Sequence, residues 1–565
     1  MLQIYWGGLL MTPIRQLLSQ LSSSSRHVIV NGQVGELSDL QKFLHVTRPT
    51  EERLCELVDT ATPDAAQLIL LCGNVGDGKS HLLSHLRQSG RLGDFEVHND
   101  ATESFDPSKT NLDTLIEKVL TDFSDDRITS SSRHLILAIN LGVLANLYDE
   151  ADSPRYSRLR QYIDESKLLE RTPSHTKPTT NFAHVDFTAS SVVELNTDAV
   201  STPLFRELLD RIFSEDSTNP FYEAYNNSPS DDVAAINYAF LLNEGCRRAF
   251  ERLLIQAVIK HKVVFSVREF LDFLADCLIS RGGSVTGTIS ERLADFLPFS
   301  IFESADSPLH DAFRKSDPVQ VRSARADAAM FEIAAVNKQD RRLRIAFPFD
   351  IPDWLPSPKE DDETDIRLLC KLQQRLDYFV SNCNREDEDL PYCEFLRVLC
   401  SVSSFVKAGL VDATLKEFIE TVTKAASCWH GDPHKPKHVV LRPPGLRDRY
   451  RLLRQFELRV DGMGSDVIEL TNHDFAIRFQ INGTKVKRLL HVDFELYRML
   501  YKVSKGYLPN RYDQLACVSL SAFVDSIITT GLDGADIFID QINEGGAIEF
   551  SATQSGFGLQ FSRVL

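Results

Sequence analysis

The 565-residue sequence has no Cys-x-x-Cys pair, although it carries ten cysteines, at positions 55, 72, 246, 277, 370, 383, 393, 400, 428 and 517. Several sit in apolar stretches such as Leu71-Cys72 and Leu399-Cys400. They read as reduced, buried thiols of a cytoplasmic protein, not as a disulfide framework or a zinc ribbon. No run of 18 apolar residues occurs, so no membrane-spanning helix is expected. The apolar start, Met1 to Leu10, has neither a basic flank nor a small-residue cleavage site and makes a poor signal peptide. Met11 then opens Thr12-Pro13-Ile14-Arg15, so the native start is expected there, with the first ten residues an extension without fold. Positive charge is also short, 62 basic side chains against 80 acidic ones, a net −18. The chain as a whole therefore repels nucleic acid, and any contact with it needs a local basic patch.

With 43% hydrophobic and 25% charged residues the chain has a globular composition, and its length predicts several domains. Helical spacing over residues 12 to 66 gives way at Thr62-Pro63-Asp64 to Leu68-Ile69-Leu70-Leu71-Cys72, a continuous apolar run suited to a strand buried on both faces. Strand-like runs recur at Phe95 to His98, Leu135 to Ile139 and Phe182 to Phe187, with a helix predicted over Leu112 to Phe123. Alternation of this kind predicts an α/β domain with a mostly parallel sheet. From Val233 to Leu278 the pattern is helical, with a second helix starting at Ser266. Pro352 to Asp365, rich in proline and acidic residues, reads as a linker. Beyond it Leu368 to Ala426 is helical, and strands dominate from about Val439, with hairpin signals at Asn482-Gly483 and Ser555-Gly556. The expected order is a lead-in over 1–66, an α/β core over 67–228, a helical lid-like module over 229–351, the linker over 352–366, a helical module over 367–432 and an α+β domain over 433–565.

Gly73-Asn74-Val75-Gly76-Asp77-Gly78-Lys79-Ser80 fits GxxxxGKS and lies between the strand Leu68 to Cys72 and an amphipathic helix opening at His81. In such a P-loop, glycines let backbone N–H groups wrap phosphates at a helix N-terminus. Lys79 reaches the β- and γ-phosphates of ATP, and Ser80 offers its hydroxyl to Mg²⁺. The alternatives are a chance match and a loop that binds without hydrolysing. Hydrolysis also needs a carboxylate near the metal, at the C-terminal edge of a neighbouring strand. No apolar run closes with Asp-Glu, but Phe95 to Asn99 delivers Asp100, with Glu103 just after it, and Asp100 is the candidate for the metal. The competing reading of this pair is a helix cap. The strand Leu135 to Ile139 delivers Asn140, suited to the γ-phosphate or the attacking water, unless it only forms a turn. Asp186 is a third acidic candidate.

Arg268, at the start of the second helix of the 233–278 module, could set a guanidinium over the γ-phosphate or be an ordinary surface arginine. Arg247 and Arg248 could reach across a subunit boundary, although paired helix arginines are usually solvated. His430, His434 and His438 follow Cys428 at spacings of four, but Gly431, Pro433 and Pro436 forbid the helix that would align them on a metal. Between Lys435 and Arg459 eight basic residues (Lys435, Lys437, Arg442, Arg447, Arg449, Arg451, Arg454, Arg459) face two acids, Asp448 and Glu457, with Tyr450 and Phe456 interleaved. This is the one segment suited to a DNA backbone or an acidic partner, against the reading of a solvated helical face.

Three stretches in order carry a resemblance: Leu70 through Leu83, then Asn99-Asp100-Ala101-Thr102-Glu103-Ser104-Phe105, then Leu137-Ala138-Ile139-Asn140-Leu141-Gly142-Val143-Leu144. Together they resemble the DptF (DndF) family of bacterial DNA phosphorothioation-dependent restriction proteins, and the segment around Arg268 is similar to that family's lid helix. The resemblance implies a P-loop ATPase of the AAA-like, additional-strand type, acting as a cytoplasmic subunit of a multi-protein antiviral defence complex. That complex cuts DNA lacking backbone sulfur. ATP and Mg²⁺ are the implied cofactors, the other subunits the implied partners, and homo-oligomerisation is left open. The nuclease is expected in a partner, since no PD-(D/E)xK or HNH-like cluster is present. Competing readings are a STAND-like nucleotide switch and a binding-only scaffold.

Overall fold

A computed structural model describes residues 5–6, 9–10, 12–24, 29–30, 33–34, 36–98, 115–150, 154–169, 178–187, 192–197, 199–279, 289–303, 307–320, 327–328, 331, 363–380, 389–442, 450–460, 467–482, 487–530, 537–541, 549–555 and 558–564. The chain divides into two compact units. The first comprises residues 1–192, 202–257 and 263–383, and the second residues 193–201, 258–262 and 384–565. Residues 1 to 10, expected without fold, carry a short antiparallel ladder of Tyr5–Trp6 with Leu9–Leu10.

Among the described residues of the first unit three helices precede the sheet: α1 (Pro13–Ser24), α2 (Asp39–Phe43) and α3 (Pro49–Asp59). Ser38 caps α2, its hydroxyl taking Gln41 N–H while the Gln41 side chain returns to Ser38 N. Pro49 occupies the first turn of α3, where its missing N–H costs nothing, and Glu51 and Glu52 face the positive end of the helix dipole.

Strand β1 (Gln67–Gly73) is buried at every position and feeds α4 (Lys79–Gln88). Strands β2 (Glu96–His98), β3 (His134–Asn140) and β4 (Phe182–Asp186) complete a four-stranded parallel sheet of order β2-β3-β1-β4. Helices α5 (Leu141–Glu150) and α6 (Ser157–Ser166) lie between β3 and β4 in the chain. Side chains of β1 alternate between two cores. Leu68, Leu70 and Cys72 join Leu144, Leu147, Leu159 and Ile163 of α5 and α6 on one face. Ile69 and Leu71 join Leu54 and Leu57 of α3 and Leu82, Leu83 and Leu86 of α4 on the other. The expected parallel α/β sheet covered on both faces is therefore present.

The helix predicted over Leu112 to Phe123 differs. Residues 112–114 lie outside the described residues, and the rest is a π turn (Leu115–Val119) followed by a 3-10 turn (Thr121–Phe123). Leu115, Val119 and Phe123 are buried as helical spacing requires, but Leu120 N–H reaches back five residues to Leu115 O. The Tyr156 hydroxyl takes the Ile116 carbonyl at 2.8 Å.

A helical module follows: α7 (Pro203–Ile212), α8 (Pro220–Asn226), α9 (Val233–Leu242), α10 (Glu244–Ile259) and α11 (Val267–Leu278). The helical pattern expected to run unbroken from Val233 to the helix at Ser266 is interrupted at Asn243, between α9 and α10. Asp232 caps α9 and ties it to α1, accepting from Thr12 Oγ1 and, at 2.7 Å, from Arg15 Nε. Further helices are α12 (Ile289–Ala294), α13 (Leu297–Glu303), α14 (Pro308–Lys315) and α15 (Glu363–Val380). Of the linker expected at Pro352 to Asp365, residues 352–362 lie outside the described residues, and Glu363 to Asp365 are not linker but the first residues of α15.

The second unit holds α16 (Leu390–Ala408), α17 (Ala413–Cys428), α18 (Phe494–Ser504), α19 (Arg511–Ala516) and α20 (Val518–Thr529). One of its antiparallel sheets joins β5 (His438–Val440), β6 (Tyr450–Gln455), β11 (Ile537–Gln541), β12 (Glu549–Ser555) and β13 (Gly558–Val564). Another joins β7 (Leu458–Val460), β8 (Ile468–Leu470), β9 (Phe475–Ile481) and β10 (Lys487–Val492). Both expected hairpins form. Gln480 pairs with Lys487 and Ser555 with Gly558. Asn482 takes the left-handed φ of 52° that opens the first turn, while Gly483 and Gly556 lie outside the described residues. Among the described residues no single helix is long and apolar enough to cross a membrane.

Candidate functional site

The end of β1 becomes the loop 73–78 and then the N-terminus of α4. Gly76 and Gly78 adopt φ of 90° and 93°, a region that L side chains rarely occupy. Space is closed as well: a Cβ on Gly76 would lie 2.6 Å from Ser266 Oγ, and one on Gly78 2.6 Å from Arg48 Nη2. Asp77 folds its carboxylate back onto Asn74 N–H at 2.6 Å. Burial raises the Asp77 pKa, with Asn74 N–H, Lys79 and Arg48 opposing.

Parallel register sets two of the sequence candidates beside the loop. Asn140 is the β3 partner of Gly73, and Asp186 the β4 partner of Cys72. Lys79 is buried, its Nζ donating to Gly73 O (2.9 Å), Asn74 O (2.7 Å) and Asn140 Oδ1 (3.4 Å). Val75, Gly76, Gly78, Lys79, Ser80 and His81 line one pocket together with Asn140 and Arg268. Arg268 is the second residue of α11, and its backbone N–H meets Gly76 O at 3.4 Å. Leu44, Val46, Leu204, Leu208 and Leu271 give the same pocket an apolar wall. Asp100 and Glu103 lie outside the described residues, immediately beyond β2.

Arg48, which no motif in the sequence marks, braces the loop. Its Nη1 donates to Asp77 O at 2.8 Å, and its guanidinium lies 5.6 Å from the Phe187 ring centre. Burial lowers its pKa, while Asp77 and Glu51 act in the opposite sense. No motif spacing marks an arginine 25 residues ahead of the loop; only its place before Pro49 hinted at a helix boundary.

A histidine cluster borders the pocket: His81 follows the loop directly in the sequence, whereas no motif marks His45 or His85. His45 and His85 rings stack with centres 3.6 Å apart, and His45 Nδ1 is 3.1 Å from His81 Nε2. Glu51 Oε2 is 3.0 Å from His45 Nε2, and Glu51 Oε1 is 3.9 Å from His85 Nε2. Desolvation, aided by the neighbouring histidines and arginines, pushes His45 down to about 3, and desolvation followed by Arg48 and His85 pushes His81 down to about 4. Both rings are therefore neutral near pH 7. Burial raises the pKa of Glu51.

The remaining candidates find other partners. Arg247 is not solvated: its guanidinium takes the carbonyls of Phe213, Leu241 and Leu242, and Asp210 Oδ1 at 3.2 Å. It serves to close helix ends. Arg248 is exposed and pairs with Glu244 one turn away. His430 meets Val440 O, His434 meets Asp432 and His438 meets Pro436 O, so the three rings go to separate partners.

The basic segment in the second unit is strand, not the helical face considered as its alternative. On β6 Arg454 is 1% exposed, next to the equally buried Leu453, and its Nη1 donates to Ile528 O at 2.7 Å. Arg451 is tied to Asp540 at 2.6 Å. Lys437, Arg442 and Arg459 are exposed, while Arg447 and Arg449 lie outside the described residues. Comparison with family models, curated proteins and solved structures returns no match.

Proposed function

We propose that the chain binds ATP with Mg²⁺ in the loop from Gly73 to Ser80 and serves as the ATPase subunit of a DNA-restriction complex. The observation that carries the nucleotide reading is the conjunction at the end of β1. Two left-handed glycines, a buried lysine and a helix N-terminus converge where parallel strands end. The cradle suits phosphate, because side chains at Gly76 and Gly78 are disfavoured by the left-handed backbone, and at Gly76 also by Ser266 and the Arg268 Cβ. The apolar wall of Leu44, Val46, Leu204, Leu208 and Leu271 suits a base more than a bare phosphate.

In this reading Lys79 would turn from the loop carbonyls to the β- and γ-phosphates, Ser80 and Asp100 would hold the metal, and Asn140 would orient the attacking water. Glu103 and Asp186 are the other acids near strand ends. Strand order supports the additional-strand form, since β3, bearing Asn140, separates β1 from β2, whose chain continues toward Asp100. Arg268 couples the pocket to the helical module, and the exposed Lys437, Arg442 and Arg459 are the candidates for DNA or an acidic partner.

The test is ATP turnover by the purified chain, alone and with its genomic neighbours and DNA. Lys79→Ala should abolish turnover and weaken ATP binding at least about tenfold, a loss of about 1.4 kcal/mol. Unchanged turnover and affinity in that variant would refute the site. Turnover stimulated by DNA supports restriction; tight, unexchanged nucleotide and indifference to DNA would favour the switch.

A further inference from the structure

We propose that His45, Glu51 and His85 form a binding site for one transition-metal ion of the zinc class, which ties the segment before α3 to the P-loop helix α4. The observations are geometric and do not depend on nucleotide binding. The three residues offer two imidazole nitrogens and one carboxylate, with ligand atoms within 4.8 Å of one another. His45 is 8% exposed and Glu51 9%, so two groups that ordinarily seek water are held away from it. Their facing atoms, His45 Nε2 and Glu51 Oε2, lie 3.0 Å apart, yet neither has a hydrogen bond of acceptable geometry. Two buried lone-pair donors converging without a proton suitably placed between them are what a metal ion resolves.

The surroundings fit that use. His45 Nδ1 lies 3.1 Å from His81 Nε2, and a hydrogen bond donated there leaves the Nε2 lone pair free for a metal. His81 is thus a positioning residue, acting through His45. Two histidines and one glutamate match the donor set of zinc sites that keep a fourth position for water. Arg48 and Arg211 oppose positive charge at His45, which disfavours a hard ion held by charge alone, such as Ca²⁺ or Mg²⁺, and favours one bound through nitrogen. The stacked rings of His45 and His85, inclined by 15°, must fan apart for their in-plane lone pairs to meet at one point.

The experiment uses the full-length chain, stripped with chelator and free of nucleotide, titrated with Co²⁺ while visible absorption is read, then with Zn²⁺ as competitor. One Co²⁺ per chain is expected, with intense bands of a low-coordinate ion that Zn²⁺ erases, and Zn²⁺ should raise the melting temperature. His85→Ala, at a half-exposed ring, should abolish both responses with the circular dichroism spectrum unchanged. His81→Ala should weaken Co²⁺ binding about tenfold while keeping the bands. Absence of bands and of a melting shift in the wild-type chain, or equal responses in His85→Ala, would overturn the site. The pair would then be held by a shared proton or the ion bound elsewhere. Because no nucleotide is present, either outcome leaves the ATP reading to its own test.

Discussion

Single residues decide whether the loop can take a phosphate. Gly76 has both a left-handed φ and Ser266 Oγ at 2.6 Å from any added Cβ, so Gly76→Ala combines backbone strain with a clash. We expect it to cost about 1–2 kcal/mol of stability and to weaken ATP binding, measured by thermal denaturation and nucleotide titration. Arg48→Ala removes a charged hydrogen bond from the Asp77 carbonyl and should lower ATP affinity by about tenfold, again by titration. At this scale the sequence was legible where chemistry follows spacing: Gly73 to Ser80 announce themselves, and Asn140 follows from counting to a strand end. Arg48, Glu51, His45 and His85 did not, because only the fold brings the approach to α3 against the loop and its helix.

At the scale of elements, end signals in the sequence carried most of the information. Ser266 and Glu269 form a reciprocal cap at the start of α11, as the apolar pattern after Ser266 suggested. Ser266→Ala should cost about 1 kcal/mol, read as a lowered denaturant midpoint, because the N–H of Glu269 loses its acceptor. Asp232 caps α9 and also receives Arg15, whose side chain is 8% exposed. Asp232→Ala should therefore cost about 3–5 kcal/mol, leaving a buried guanidinium uncompensated, with chemical denaturation as the measurement. The four parallel strands were read within a residue or two of their ends; in the central β1 and β3 continuous burial leaves a continuous apolar run, while the edge strand β2, with Glu96 exposed, is the shortest of the four. The Leu115 to Phe123 region misled for the opposite reason: its apolar spacing is helical, but a five-residue hydrogen bond widens the turn. Arg247 misled because a helix-surface pattern cannot show which carbonyls end nearby.

At the scale of the whole molecule, the acidic chain carries the exposed Lys437, Arg442 and Arg459 in one basic stretch of the second unit. Charge reversal at Lys437, Arg442 and Arg459 should weaken DNA or partner association and its salt dependence, measured by binding titrations over a range of ionic strength. Arg454→Glu should instead unfold the second unit, since it buries an acid where a carbonyl-bonded arginine stood. Asp493 gives that unit an acid-sensitive anchor. Burial opposes its ionisation, but Lys262 at 2.5 Å and the N–H of Leu496 hold the carboxyl below its ordinary range. A lowered carboxylate stabilises above the unfolded pKa, roughly 3.9, and that contribution is lost as pH falls through the folded value. Stability should thus drop below about pH 4, and Asp493→Asn should lessen the drop, followed by urea denaturation across pH.

The alternation along Gln67–Gly73 has a last consequence. Leu68, Leu70 and Cys72 key into one helical layer and Ile69 and Leu71 into the other, while the last rungs of the same ladder set Asn140 beside Gly73. A slip of one rung would exchange the partners of both layers and carry the amide away from the lysine in the same motion. The strand works as a vernier: whatever preserves the hydrophobic interior also calibrates the bend above it, and drift in one is punished through the other.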